Sequence, residues 1–214
     1  MPRLDRFGGN ATGSTQGITY YTMWGQQYAR AKPVQVNDAD SPAQRAQRAK
    51  LKGLGGYSQQ LKGLTEITLR AIAYNKKQYH NNIFVSENKD IINTSTGSFD
   101  PSKVKDLYVS SGSLELLKNP QASPGAGGNI GVLIEATGYL PTTDLTTPVY
   151  WCVWNETANY CYWGNPNSTI QDGGFQISNV GATGDKVHVF VCAFNNATKR
   201  GTNTQYLGVH TLTA

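Results

Sequence analysis

Two stretches of this chain are apolar on both sides of a would-be strand. In 186–194, Val187, Val189, Val191 and Ala193 alternate with His188, Phe190, Cys192 and Phe194. In 149–154, Val149, Trp151 and Val153 alternate with Tyr150, Cys152 and Trp154. Successive side chains of a strand point to opposite faces, so strands of this composition must be covered on both. In a two-sheet sandwich only the inner face meets the other sheet. The outer cover must come from the N-terminal region or from another subunit. A second copy is the expected cover, which makes Tyr150, Trp154, Phe190 and Phe194 expected partner contacts. Exposed together they would form an apolar patch of the size that marks an interaction site.

From Val104 onward the pattern has period two, with turn residues between the runs. The expected strands are 104–110, 112–117, 129–137, 148–155, 159–163, 174–178, 186–194 and 204–212. Short strands at this density predict an immunoglobulin or fibronectin-III type β-sandwich over 104–214. The fold class is therefore mainly β, with an arm, short strands and a helix ahead of the sandwich. The sandwich is expected to fold by itself, and residues 1–40 are not.

The N-terminal half reads differently. Residues 1–16 are rich in glycine and polar groups and make an arm that orders only against a partner. Residues 18–24 and 26–36 carry β-formers around Gly25 and predict two short strands that can pair as a hairpin. Tyr20, Tyr21, Trp24 and Tyr28 give this segment large apolar faces, and Arg30 and Lys32 follow. Ser41-Pro42-Ala43-Gln44 has the form of an N-cap, a first-turn proline and a capping box, opening a helix to about residue 75. Gly53, Gly55, Gly56 and Gly63 oppose one unbroken helix, at up to about 1 kcal/mol each relative to Ala. Either another backbone approaches them closely or the helix breaks near Gly53–Gly56; a break is expected. Arg45, Arg48 and Lys52 form a basic face that is either solvated or set against an acidic partner. Residues 79–101 read as a connector, with Ile83-Phe84-Val85 as an edge strand.

Charge is unevenly distributed. Residues 1–105 carry 15 Lys and Arg against 7 Asp and Glu, and residues 106–214 carry 4 against 7. A basic half points to an acidic partner, other protein or nucleic acid, or to balance within the chain. No apolar signal segment opens the chain and no run is long enough to span a membrane. The expected site of synthesis is a host cytoplasm. Three cysteines do not make a secreted disulfide framework; Cys152 and Cys161 come near each other across a hairpin, either bonded or, as expected, as free thiols.

Chemistry-bearing constellations are not found in the sequence. Asp38 and Asp40 lack the carboxylate spacing of a calcium loop. His80, His188 and His210 are not at zinc-ligand spacing with a cysteine. Gly125–Gly128 precedes a strand and is not followed by the Lys-Ser/Thr of a phosphate loop. No catalytic residue, cofactor or metal is expected.

Gly17, Gly25, Tyr28-Ala29-Arg30 and Pro33, then Ser41-Pro42-Ala43-Gln44 and Arg48-Ala49-Lys50-Leu51, together resemble an uncharacterised protein family abundant in Bacteroidetes. The close of the chain, Gly184-Asp185-Lys186-Val187-His188-Val189-Phe190 with Phe194 and Tyr206-Leu207-Gly208, is similar to that family too. The stretch 149–163 departs from it, being more aromatic and cysteine-bearing. The resemblance implies an assembly or surface component with relatives in phage genomes, and no catalytic residues. The expected function is a capsid-, collar- or tail-associated virion protein, contacting its own copies and other virion proteins. The alternatives are nucleic-acid binding through the basic segment, or a surface carbohydrate-binding module using Trp151, Trp154, Tyr160, Tyr162 and Trp163 as a stacking platform.

Overall fold

Strand β9, Lys186–Asn195, is buried at nine of its ten positions and organises the C-terminal part of the protein. In the computed structural model, which describes residues 13–15, 17–23, 25–32, 40–165 and 167–214, β9 pairs antiparallel with β6 (Val149–Asn155) on one side. On the other side it pairs with β11 (Gln205–Thr211) and the two-residue β10 (Arg200–Gly201). Strand β7 (Tyr160–Gly164) extends the sheet beyond β6. A second sheet has the order β4 (Lys118–Pro124), β5 (Ile130–Glu135), β8 (Gly174–Ile177). Leaving out β10, the first, second and fifth strands form one sheet, and the third, fourth, sixth and seventh form the other. This antiparallel partition gives the mainly β fold its immunoglobulin/fibronectin-III-like sandwich. Ile130, Val132, Ile134 and Ile177 meet Val149, Val153, Val187, Val189 and Val191 between the sheets.

The other face of the larger sheet is covered by the chain's own helices. Tyr150, Cys152, Trp154, Cys161, Phe190, Cys192 and Phe194 form one cluster with Leu54, Tyr57, Leu61, Leu64, Leu69, Ile83 and Phe84. Residues 45–214 are thus helices on sheet on sheet, with a core on each side of β6 and β9. Tyr150, Trp154, Phe190 and Phe194 are each 3% exposed or less. They are not the partner contacts that the two-sided strands suggested, and no second copy is needed to cover them. Contacts within the chain define two compact units, Met1–Gln44 and Arg45–Ala214. The boundary drawn at 103/104 from the change of pattern therefore falls inside the second unit, through a shared core.

Helix α1 spans Pro42–Gln60 without the break expected at its glycines. Its capping box forms: Gln44 N–H donates to Ser41 Oγ at 3.3 Å, and Ser41 N–H to Gln44 Oε1 at 3.1 Å. Gly53 is there because backbone passes close by; a Cβ on it would lie 2.0 Å from the Gly97 carbonyl oxygen. Gly63 makes room for the Trp163 ring in the same way, at 2.2 Å. The run is interrupted later, at Leu61 and Leu69, before α2 (Lys62–Thr68) and α3 (Arg70–Lys76). Thr65 Oγ1 donates to Leu61 O at 3.1 Å and Thr68 Oγ1 to Leu64 O at 3.0 Å. Such back-bonding by threonine bends helices, and Thr68 Oγ1 also reaches Val109 O at 2.5 Å.

Three other sequence expectations are revised. Ile83-Phe84-Val85 lies in helix α4 (His80–Glu87), with Ile83 and Phe84 buried, so it is not an edge strand. Residues 104–110 begin as a 3-10 turn and residues 112–117 form no strand. The strand there is β4, Lys-Asn-Pro-Gln-Ala-Ser-Pro, which shows no apolar alternation because it lies at a sheet edge and carries prolines that an edge tolerates.

In the first unit, β1 (Gly13–Thr15), β2 (Ile18–Met23) and β3 (Gln26–Ala31) form an antiparallel sheet in that order. The expected hairpin is present, with Met23 opposite Gln26 and Gly25 at φ 73° in the turn.

Candidate functional site

The residues expected to meet a partner divide into three groups. On the hairpin, Tyr21 sits directly opposite Tyr28 and their rings stack at 5.5 Å. The cross-strand alternation places Thr19, Arg30, Met23 and Gln26 on that same face, and Tyr20 with Ile18, Ala29 and Ala31 on the other. Arg30 and Lys32 are exposed. Trp24 lies outside the described residues, as do Pro33 and Asp38. In the first unit no side chain with a described environment is buried. The second group, Arg45, Arg48 and Lys52, is exposed on α1 at spacings of three and four residues, which brings them onto one side of the helix. The third group is the buried set Tyr150, Trp154, Phe190 and Phe194 already described.

The five aromatics of 151–163 do not make one platform. Trp154 and Trp163 pack with the helical layer, whereas Trp151 and Tyr162 pack with the inter-sheet core. Strand alternation has split them between opposite faces.

A polar network joins the helical layer to the sheet. Tyr57 stacks on Phe99 with ring centres 3.9 Å apart, and its hydroxyl donates to Asn159 Oδ1. The Phe99 N–H donates to the same hydroxyl at 3.3 Å. The Trp154 indole N–H is close enough to that hydroxyl to stabilise its ionised form, yet falls short of hydrogen-bond geometry and has no other partner. Burial nevertheless raises the Tyr57 pKa above that of an ordinary phenol, the Phe99 N–H opposing it, so the hydroxyl keeps its proton. One turn along α1, Gln60 Oε1 accepts from the Cys161 N–H at 2.8 Å. These residues were legible only as helix stripe and hairpin turn, since Tyr57 and Asn159 are 102 residues apart.

His188 is 3% exposed. Its Nδ1 is 2.9 Å from the Tyr206 hydroxyl and its Nε2 is 3.2 Å from Glu156 Oε2. Burial lowers its pKa and Glu156 opposes the shift, burial being the larger effect. It is a packed, hydrogen-bonded residue, as its place on a two-sided strand implied. A lowered folded-state pKa means that the unfolded chain takes up the proton first. His188 should therefore leave stability unaffected above about pH 6.5 and reduce it as pH falls below that value. His80, also lowered by burial, acts in the same direction. In urea melts from pH 7.5 to 5, His188→Gln should flatten the acid-side loss; an unchanged slope would assign it to other groups.

Cys152, Cys161 and Cys192 are buried free thiols. Burial pushes Cys161 well above the ordinary thiol range, with Cys152 adding to it, and pushes Cys192 up to about 12. Thiols so protonated are poor nucleophiles. Among the described residues no group of three or more His, Cys, Asp or Glu is placed to hold a metal ion. No described helix is long and apolar enough to cross a membrane.

No family model matches the chain and no curated protein matches it. Solved structures similar to it include the chicken CNTN1 FN1-FN3 domains, at 13% identity and a TM-score of 0.36 over 49% of this chain and 34% of that one. Another is the fn3 domain of the human collagen alpha-1(XX) chain, at 13% identity and a TM-score of 0.35 over 49% of this chain and 92% of that one. The chain thus spans about a third of the CNTN1 fragment. The fold assignment rests on strand order and core, not on these likenesses.

Proposed function

We propose that this chain is a non-enzymatic structural component of a phage particle, capsid-, collar- or tail-associated, acting through protein–protein contacts. The observation that carries this reading is the N-terminal sheet. It presents the stacked Tyr21 and Tyr28 beside Arg30, with Lys32 following, and buries no side chain whose environment is described. A small sheet without a packed face is marginal in water, and aromatic and arginine side chains are the usual anchors of an interface. Arg45, Arg48 and Lys52 add exposed positive charge on α1. The phage setting is supported by the sequence resemblance.

Mass spectrometry of purified particles tests the setting: the chain should be present at structural copy number, and its absence would overturn the proposal. Arg45→Glu with Arg48→Glu tests the contacts. Incorporation should be lost, because reversed charge at a complementary interface is repulsive. The thermal midpoint should hold, exposed charges contributing within about 0.5 kcal/mol. Normal incorporation would leave this face merely solvated. Retention on nucleic acid with a steep salt dependence would instead favour the nucleic-acid reading.

A further inference from the structure

A groove of about 400 Å³ runs along α1, lined by Lys52, Gly53, Gly56, Tyr57 and Gln60 on the helix, by Ser95–Gly97, and by Asn159. Its hydrogen-bonding character is fixed from behind. The Tyr57 hydroxyl accepts from the Phe99 N–H and donates to Asn159 Oδ1. The Asn159 carbonyl oxygen is therefore turned inward, leaving Nδ2 as its outward group. Gln60 is set in the same sense, because its Oε1 accepts from the Cys161 N–H. An amide whose oxygen is held by a protein donor on the inner side turns its N–H groups to the other side. Ser95 and Thr96 hydroxyls are engaged with Asn93 and Ser98. Lys52 is exposed on the same helix face and adds an ammonium. No hydrogen bond or ion pair engages Lys52 Nζ, Gln60 Nε2 or Asn159 Nδ2 among the described residues.

The geometry points to a binding site for an elongated, acceptor-rich anion. Lys52 and Gln60 are eight residues apart, about 12 Å along a helix axis. The ligand places a carboxylate or phosphate group at Lys52 and neutral or anionic oxygens at Gln60 and Asn159. At Gly56 no heavy atom lies within 4 Å of an added Cβ, so this part of the floor has no side chain and the ligand lies close to the helix. Residues 45–105 carry 11 Lys and Arg against 4 Asp and Glu, a field that favours anions at this surface.

Titration of the full chain with triglutamate and, separately, with linear tetrapolyphosphate, both long enough to reach from Lys52 to Gln60, tests the site and distinguishes carboxylate from phosphate recognition. The readout is the side-chain amide signals of Gln60 and Asn159 in nitrogen-proton spectra, with sodium chloride as the ionic-strength control. Saturable shifts with one or both anions, absent with chloride, are expected. Lys52→Met and Asn159→Asp should each weaken the binding at least tenfold while leaving the backbone spectrum in place. Asn159→Asp keeps the acceptor for Tyr57 and replaces the outward donor by an anionic oxygen, so its effect reads the group that faces the ligand and not the fold. Shifts that never saturate, or variants that bind like the parent, would overturn the proposal.

Discussion

A chain shortened to residues 104–214 should not give a soluble, cooperatively unfolding sandwich. All eight strands of the two sheets would be present, but the helical layer would be gone. Tyr150, Trp154, Phe190 and Phe194, each 3% exposed or less in the whole protein, would then face water. Burying one such side chain stabilises by about 1.5–3 kcal/mol, so the four together represent about 6–12 kcal/mol. That is comparable to the entire stability of an ordinary domain, about 5–15 kcal/mol. The shortened chain should associate, bind a hydrophobic dye and lose a sharp thermal transition. A chain starting at Arg45 should retain one, because it keeps the whole second unit. Light scattering and calorimetry on the two chains separate the cases. A monomeric, sharply melting 104–214 would show that the helical layer is an accessory and not half of the core.

Two glycines in one helix should respond to alanine with opposite signs. Gly53 and Gly55 both lie inside α1, where Gly→Ala gains about 1 kcal/mol from helix propensity alone. At Gly55 no heavy atom comes within 4 Å of an added Cβ, so that gain should appear as a higher melting temperature. At Gly53 the added carbon would sit 2.0 Å from the Gly97 oxygen and 2.9 Å from its carbonyl carbon. Both are backbone atoms, in a turn where Gly97 itself has φ 71°, and they cannot swing aside as a side chain would. Overpacking of this kind costs about 1–3 kcal/mol, occasionally more, which exceeds the propensity gain. Gly53→Ala should therefore lower the melting temperature. Equal shifts for both variants would mean that the helix and the 93–99 segment do not touch as described.

The sequence by itself determined much of the sandwich. Val187, Val189 and Val191 alternating with Phe190, Cys192 and Phe194 specify a strand covered on both faces, because side-chain direction in a strand has period two. Ser41 and Gln44 marked the start of α1, because a capping box is a local device completed within four residues. The two short strands followed from β-formers flanking Gly25, while their register, with Tyr21 opposite Tyr28, came from the structure. What covers the second face was a different kind of question. Phe190 specifies that an apolar surface must meet it, and Leu54, Leu61 and Leu64 serve as well as a second copy would, since hydrophobic burial is not directional. Only the tertiary structure decided for the helices. The same holds for Gly53: a low-propensity residue reads as a break unless another backbone occupies the missing side chain's place, and Gly97 does so from 44 positions away. The groove donors are further still from sequence reasoning. Gln60 and Asn159 are two amides of either polarity until the Cys161 N–H and the Tyr57 hydroxyl, both brought in by folding, claim their oxygens and leave the N–H groups outward.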